Sequence, residues 1–152
     1  MDFSIYEFPF GFLKTEYEGD ILISLKKIDK TSGYGKKTEF TDLVYNEVME
    51  YLNSKRKTFD IKYEINGTEF QKKVWEELTH IPYGETSTYK KIAVAVGNPK
   101  ASRAVGMANN KNPISIVVPC HRVIGLDGKL VGYAGGLDMK KALLDLELRN
   151  KH

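Results

Sequence analysis

The sequence predicts an α+β protein of two small domains, the first over residues 1–65 and the second over residues 66–152. Extended segments and one amphipathic helix fill the first part of the chain, and several helical patterns fill the second. Hydrophobic residues make up 41% and aromatic residues 11% of the 152 residues. This composition supplies a core and argues against a disordered chain.

The N-terminal domain begins with segments that predict a meander of strands. Residues 3–8 and 11–17 are rich in aromatic side chains and flank a Pro9-Phe10-Gly11 turn, and residues 20–25 form a third strand. A helix follows, because four apolar residues recur at intervals of four: Phe40, Val44, Val48 and Leu52.

The C-terminal domain opens with a capping box at Thr68 and Gln71, a spacing at which each side chain bonds the other residue's backbone N–H. The helix that follows carries an apolar stripe beside Trp75, made of Phe70, Val74 and Leu78. This pattern predicts a helix with one buried face.

Two further helices form a helix-turn-helix outline. Thr86 or Ser87 can cap the first of them, whose apolar positions keep the helical period: Tyr89, Ile92, Ala93 and Val96. A Gly97-Asn98-Pro99 turn leads to the second, from Lys100 to about Asn109. Short helices joined by a turn that contains glycine are typical of DNA-binding domains.

The remaining segments add β structure and a last helix. Ile114 to Val118 is predicted to be a buried strand that Pro119 ends, and two β segments around Asp127-Gly128 predict a hairpin. An amphipathic helix from about Leu137 to Asn150 closes the chain. A helix-turn-helix followed by a hairpin predicts a winged-helix-like domain.

Composition excludes several classes of protein. No apolar run approaches the ~20 residues of a membrane helix, and the acidic, aromatic start is unlike a signal peptide. The single cysteine excludes an intramolecular disulfide and any zinc site with several thiolates. We therefore expect a soluble, cytoplasmic, monomeric protein without a metal or cofactor.

Positive charge is concentrated in the second domain. Residues 67–152 carry 13 Lys and Arg against 8 Asp and Glu, whereas residues 1–66 carry 10 against 12. No carboxylate lies between Glu85 and Asp127, a stretch with six cations: Lys90, Lys91, Lys100, Arg103, Lys111 and Arg122. A solvated basic face is one interpretation, but such a stretch favours a polyanionic partner, and nucleic acid is the natural candidate.

The second helix of the pair has small side chains around one long one. Ala101, Ser102, Ala104, Gly106 and Ala108 surround Arg103. Helices that read the major groove carry several long polar side chains, whereas small ones let the backbone approach DNA closely in a narrow groove. Tight helix packing explains Ala104 and Ala108 equally well, and Arg103 remains a candidate probe of the base stack.

Cys120 is the candidate nucleophile. A lone cysteine is more often an inert buried residue, but His121 is adjacent, Arg122 favours a thiolate, and Glu147 lies on the helix that folds back against this segment. A base oriented by a carboxylate generates such a nucleophile at neutral pH. The interpretation predicts a Cys–His–Glu arrangement.

The motif Pro119-Cys-His-Arg-Val123 resembles the active-site signature of the O6-alkylguanine-DNA alkyltransferases, also called methylated-DNA–protein-cysteine methyltransferases. The resemblance covers most of the C-terminal domain in the family's order and spacing. Its other motifs are the helix with Trp75, Ile81-Pro-Tyr-Gly-Glu85, Ser87-Thr-Tyr89, Gly97-Asn-Pro-Lys-Ala-Ser-Arg-Ala-Val-Gly106, Asn112-Pro113, Gly132-Tyr-Ala-Gly-Gly-Leu137 and Glu147. The N-terminal domain matches in size and layout only, which implies a ribonuclease-H-like sheet-plus-helix unit with a structural role.

The resemblance implies binding to the minor groove of double-stranded DNA that carries O6-alkylguanine, with the damaged nucleotide rotated into a pocket. Arg103 matches the family's intercalating arginine, and Tyr89 matches the tyrosine that helps rotate the nucleotide and contacts the base. The expected DNA-binding residues are Tyr89, Ala101, Ser102, Arg103, Ala104, Gly106 and Arg122.

The resemblance also implies the chemistry. Cys120 takes the alkyl group, His121 acts as a water-mediated base held by Glu147, Asn112 braces the turn before the cysteine, and Tyr89 donates to the base. The implied pocket residues are Pro119, Val123, Tyr133 and Ala134. Main-chain carbonyls of Cys120 and Val123 read the exocyclic amine, and the N–H of Ala134 contacts O6. Because the product is a thioether, each chain reacts once.

Two alternatives remain open. A winged-helix regulator or lesion sensor explains the basic stretch and predicts an unreactive Cys120. A Cys–His hydrolase acting on peptides or small molecules explains the nucleophile and predicts repeated turnover. Neither accounts for the cysteine motif and the helix-turn-helix together.

Overall fold

A computed structural model describes residues 1–151 of the chain. Two compact units meet in sequence between Asn66 and Gly67. The boundary expected from the sequence, between residues 65 and 66, lies one residue earlier.

The first unit contains an antiparallel sheet in the order β1-β2-β3, formed by Asp2–Phe8, Gly11–Glu18 and Ile21–Ile28. Strands β1 and β2 pair from Asp2 with Tyr17 to Phe8 with Gly11. Gly11, at φ 122°, adopts the left-handed conformation that this tight connection requires. The sheet is the predicted meander.

Helix α1 spans Glu39–Leu52 and is capped by Thr38, whose side chain accepts a hydrogen bond from the backbone N–H of Thr41. Its buried positions include Val44 and Val48, as the stripe predicts, and Tyr51 replaces Leu52 as the last fully buried residue. This unit contains a three-stranded sheet and a helix. The ribonuclease-H-like fold expected for it stays a prediction.

The second unit starts with helix α2, Glu69–Leu78, which has the predicted capping box at Thr68 and Gln71. Helices α3, Tyr89–Ala95, and α4, Ser102–Asn110, form the helix pair. Thr88, and not Thr86 or Ser87, caps α3 by accepting from the N–H of Lys91 at 3.1 Å. The buried indole of Trp75 donates to the carbonyl of Ala108 at 2.8 Å, which fastens α2 to α4.

A short 3-10 turn, Cys120–Arg122, carries the cysteine. Strand β5, Val123–Ile124, follows directly and pairs in parallel with β4, Ser87–Thr88. Helix α5, Leu137–Arg149, ends the described part of the chain and buries Met139, Lys140, Leu143, Leu146 and Glu147.

The predicted strand from Ile114 to Val118 is wrong. The segment is buried as expected but folds into consecutive tight turns, in which Val117 N–H donates to Ser115 at 2.8 Å and Val118 N–H donates to Ile114 at 3.1 Å. Ile116 has φ 72°, a conformation that costs a β-branched residue about 1 to 2 kcal/mol. A run of apolar residues in the sequence indicates burial but does not distinguish a strand from a buried turn.

The predicted hairpin around Asp127-Gly128 is also wrong. The turn forms, since Gly125 N–H donates to the carbonyl of Lys129 at 3.0 Å. However, only Val123–Ile124 is a strand here, and its partner is β4. The helix pair is therefore present without a paired β-hairpin after it, so the winged-helix description is not supported.

No helix within residues 1–151 has the length and apolar character needed to cross a membrane.

Burial on α5 predicts the effect of two matched substitutions. Leu143 is 0% exposed and Leu148 is 66% exposed. Leu143→Ala should lower the free energy of unfolding by about 2 to 5 kcal/mol, because it removes buried methyl groups and leaves a cavity. Leu148→Ala should change it by less than about 0.5 kcal/mol. Urea unfolding followed by circular dichroism measures both, and equal losses would contradict the packing of α5.

Candidate active site

Cys120 lies at the start of the 3-10 turn and is 2% exposed. Burial raises the pKa of its thiol to about 11, against the lowering effects of a hydrogen bond from Asn112 and the charge of Lys140. The resting nucleophile is therefore a thiol. This corrects the expectation that a thiolate is favoured beside Arg122, because burial outweighs the effects that lower this pKa.

Two asparagines hold the backbone around the cysteine. Asn112 Nδ2 donates to the carbonyl of Val118 at 2.8 Å, and its Oδ1 accepts from the N–H of Ile114 at 3.0 Å. Asn109 Nδ2 donates to the carbonyl of Cys120 at 3.2 Å. Because both side chains are buried, they satisfy backbone groups that the tight turns leave without ladder partners.

Glu147 gathers the polar groups next to the nucleophile. Its carboxylate, 1% exposed, accepts from His121 Nε2 at 2.7 Å and from Gly84 N–H at 3.2 Å. Arg122 donates to both oxygens, from Nε at 2.8 Å and from Nη2 at 3.0 Å. Helix α5, the 3-10 turn and the segment before β4 therefore meet at one carboxylate.

This arrangement fixes the ionisation of the pair. Burial alone raises the pKa of Glu147, but hydrogen bonds from His121 and Arg122 outweigh it and lower the pKa to about 2. Burial lowers the pKa of His121, against the raising effect of Glu147. A neutral imidazole beside an ionised carboxylate carries its proton on Nε2, which leaves Nδ1 as the basic nitrogen.

Arg122 does not lie on the basic surface. Its side chain is 9% exposed, pairs with Glu147, and donates through Nη1 to the carbonyl of Ile81 at 2.7 Å. The expectation that Arg122 contacts DNA is therefore wrong, because its guanidinium is already engaged inside the domain.

Sequence reasoning missed Lys140. This residue is 0% exposed, and its Nζ donates to the carbonyls of Val123 at 2.6 Å and Val131 at 2.9 Å. Burial lowers its pKa to about 8. Lys140 stands seven residues before Glu147 and three before Leu143, so its place on the buried face of α5 was readable from the helical period.

Tyr89 and Tyr133 differ in exposure. Burial raises the pKa of both phenols. Tyr89 Oη donates to the carbonyl of Val131 at 2.7 Å. Tyr89 is half-buried and Tyr133 is buried, so Tyr89 is the one that can turn toward a ligand.

An open groove of about 540 Å³ runs between the helix pair and the segment after the Asp127-Gly128 turn. It is lined mainly by apolar atoms of Tyr89, Ser102, Arg103, Gly106, Met107, Asn110, Val131 and Gly132. A Cβ at Gly106 would lie 3.9 Å from the Tyr89 ring, so glycine keeps this wall flat. The structure thus brings Tyr89, Ser102, Arg103 and Gly106 to one surface.

The other predicted site residues differ in exposure. Arg103, Ala104 and Ala134 are exposed and Ala101 is half-buried, whereas Pro119 and Val123 are buried. Five of the six cations of the basic stretch are exposed: Lys90, Lys91, Lys100, Arg103 and Lys111.

In the described part of the chain, no three His, Cys, Asp or Glu side chains are placed to hold a metal ion.

Comparison with known proteins identifies the second unit. Residues 69–149 match the family described as 6-O-methylguanine DNA methyltransferase, DNA binding domain. A methylated-DNA–protein-cysteine methyltransferase of Methanosarcina acetivorans is 50% identical, covering 97% of this chain and 98% of the relative. One from Mycolicibacterium paratuberculosis is 42% identical, covering 99% and 94%.

Solved structures are similar to nearly the whole chain. The O6-methylguanine methyltransferase of Mycobacterium tuberculosis superposes with a TM-score of 0.89 at 39% identity, covering 97% of this chain and 93% of that one. The same protein in complex with DNA gives 0.87 at 41% identity, with the same coverage. The chain belongs to the O6-methylguanine DNA methyltransferase family, the methylated-DNA–protein-cysteine methyltransferases.

Proposed function

We propose that this protein repairs DNA by direct reversal, moving the alkyl group of O6-alkylguanine in duplex DNA to Cys120, once per chain. One observation carries the proposal: the buried cysteine adjoins a His121–Glu147 pair at 2.7 Å, in the same unit as the helix pair and its groove. The relatives' names and the DNA complex of the mycobacterial protein support it.

The reaction begins with the thiol, because burial keeps Cys120 protonated at neutral pH. His121 accepts the thiol proton at Nδ1 through a water, and Glu147 stabilises the imidazolium that forms. A base that is neutral at rest can accept this proton.

The transfer is an in-line displacement at a saturated carbon. The Cys120 sulfur forms a bond to the alkyl carbon while the carbon–O6 bond breaks, and the electron pair stays on the guanine. Hydrogen bonds from the Tyr89 hydroxyl and the Ala134 N–H stabilise this developing charge. The thioether that results has no partner in the site able to hydrolyse it, so the protein is consumed.

The damaged base reaches the sulfur by leaving the stack. The exposed cations around the groove bind phosphates, and the small side chains of α4 let its backbone approach the minor groove. Arg103, exposed beside the groove, enters the gap left by the flipped nucleotide. The Tyr89 hydroxyl leaves the Val131 carbonyl as the base enters. The base then lies between Tyr89 and the segment that carries Val131, with the Cys120 and Val123 carbonyls reading its exocyclic amine.

Intact-protein mass spectrometry tests the transfer. After incubation with a duplex that carries one O6-methylguanine, the protein should gain the mass of one methyl group, and excess DNA should add no second group. The reason is that the only thiol forms a stable thioether.

The Cys120→Ser variant is the control and should bind the duplex without gaining mass. An unchanged wild-type mass despite DNA binding would overturn the proposal in favour of a lesion sensor. Repeated release of guanine would favour a catalyst that turns over.

Arg103→Ala should slow transfer from duplex DNA about 100-fold, because it removes the group that offsets the few kcal/mol of base flipping. Reaction with the free base O6-benzylguanine, which needs no flipping, should be unchanged. Single-turnover rates on both substrates measure the difference.

Lys73→Ala removes an exposed cation on α2, outside the basic stretch between Glu85 and Asp127, and should leave the duplex rate within about threefold. An equal loss on the duplex and the free base for Arg103→Ala would assign Arg103 to the fold or the pocket instead.

A further inference from the structure

Lys140 is a buried cation that the proposed steps above do not use. Its side chain is 0% exposed, on the face of α5 that also buries Met139 and Leu143. Burying an ammonium group costs free energy, and a Met of similar length would fill this space without that cost. A lysine at this place is therefore explained better by what its charge and donors do than by packing.

The ammonium joins two stretches of chain on either side of the Asp127-Gly128 turn. It donates to the carbonyl of Val123 at 2.6 Å, directly after the cysteine turn, and to the carbonyl of Val131 at 2.9 Å. The Val131 carbonyl also accepts from Tyr89 Oη at 2.7 Å. Lys140 thus fixes the peptide at Val123 and the wall against which Tyr89 rests.

The Val123 carbonyl belongs to a very short strand. Strand β5 has only two residues, so its ladder with β4 is short. A carbonyl oxygen has two lone pairs, and one can accept from Lys140 while the other faces a ligand. The direction of this carbonyl is therefore set by the ammonium.

We propose that Lys140 is a positioning residue for base recognition: it aims the Val123 carbonyl at the exocyclic amine of the flipped guanine. The inference rests on the proposed function, since it needs a guanine in the pocket. Part of the preference for guanine, over a purine that lacks this amine, is thereby assigned to a side chain outside the pocket.

The test compares two duplexes that differ in one group of the damaged base. One carries O6-methylguanine and the other O6-methylhypoxanthine, which lacks the exocyclic amine. Single-turnover rate constants for methyl transfer are measured with saturating protein, so that the amplitude reports the active fraction and the rate constant does not depend on it. The wild type should favour the guanine duplex about tenfold, because O6-methylhypoxanthine lacks the amine that donates to the Cys120 and Val123 carbonyls.

Lys140→Met should reduce this ratio to about threefold, mainly by slowing the guanine duplex, because the Cys120 carbonyl still accepts from the amine. Its affinity for both duplexes should stay within about twofold of the wild type. Lys141→Met is the matched control. Lys141 is the next residue on α5, its side chain is 67% exposed and pairs with Asp145, and its variant should keep the tenfold ratio. If Lys140→Met does not fold, Lys140→Gln, whose amide can reach one carbonyl, should give an intermediate ratio.

Equal slowing of both duplexes by Lys140→Met would overturn the inference and leave Lys140 a role in the fold or at the thiol. A wild-type ratio near one would overturn it as well, because the Val123 carbonyl would then not read the amine. If the wild type transfers no methyl group from either duplex, the proposed function itself is overturned. This result differs from the two above, in which the wild type still reacts.

Discussion

A single buried carboxylate, that of Glu147, receives hydrogen bonds from His121, Arg122 and the backbone of Gly84. These donors come from different stretches of chain, so the carboxylate ties the last helix to the cysteine turn and to the segment before α3. It also holds His121 in one orientation, 2.7 Å away. Removing its charge would leave a buried guanidinium unpaired, which costs several kcal/mol. The geometry of the nucleophile and that of the helix pair therefore depend on the same group.

Several residues at the site adopt conformations or environments that are unfavourable for them. Ile116 adopts φ 72°, Lys140 is buried, and the Cys120 thiol sits where burial raises its pKa to about 11. Strained or charged positions of this kind persist only where surrounding contacts determine them, and they cluster at functional sites. Here Asn112 and Asn109 supply those contacts by bonding the backbone on either side of the turn.

Periodicity predicted the helices and the meander, because burial of one face leaves a regular trace in the sequence. The capping box at Thr68 could be predicted because it depends only on residues three apart in the sequence. The Ile114–Val118 turns could not be predicted, because their hydrogen bonds come from Asn112 and tight local contacts and leave no periodic pattern. Arg122 was assigned to DNA from its charge, and only the fold shows that it meets Glu147. The roles given to Tyr89, Arg103 and Ala134 stay predictions.

The proposed mechanism requires His121 to be a neutral base with its proton on Nε2, and nitrogen NMR measures this directly. In protein labelled with ¹⁵N-histidine, the His121 signals are assigned by their loss in His121→Gln. In the protein without DNA at pH 7, Nε2 of His121 should be protonated and Nδ1 should be unprotonated. This state should persist as the pH falls below 6.5, because burial lowers the pKa of His121 from that value. An imidazolium at pH 7, or a proton on Nδ1, would contradict the proposed mechanism, since Nδ1 could then not accept the proton of Cys120.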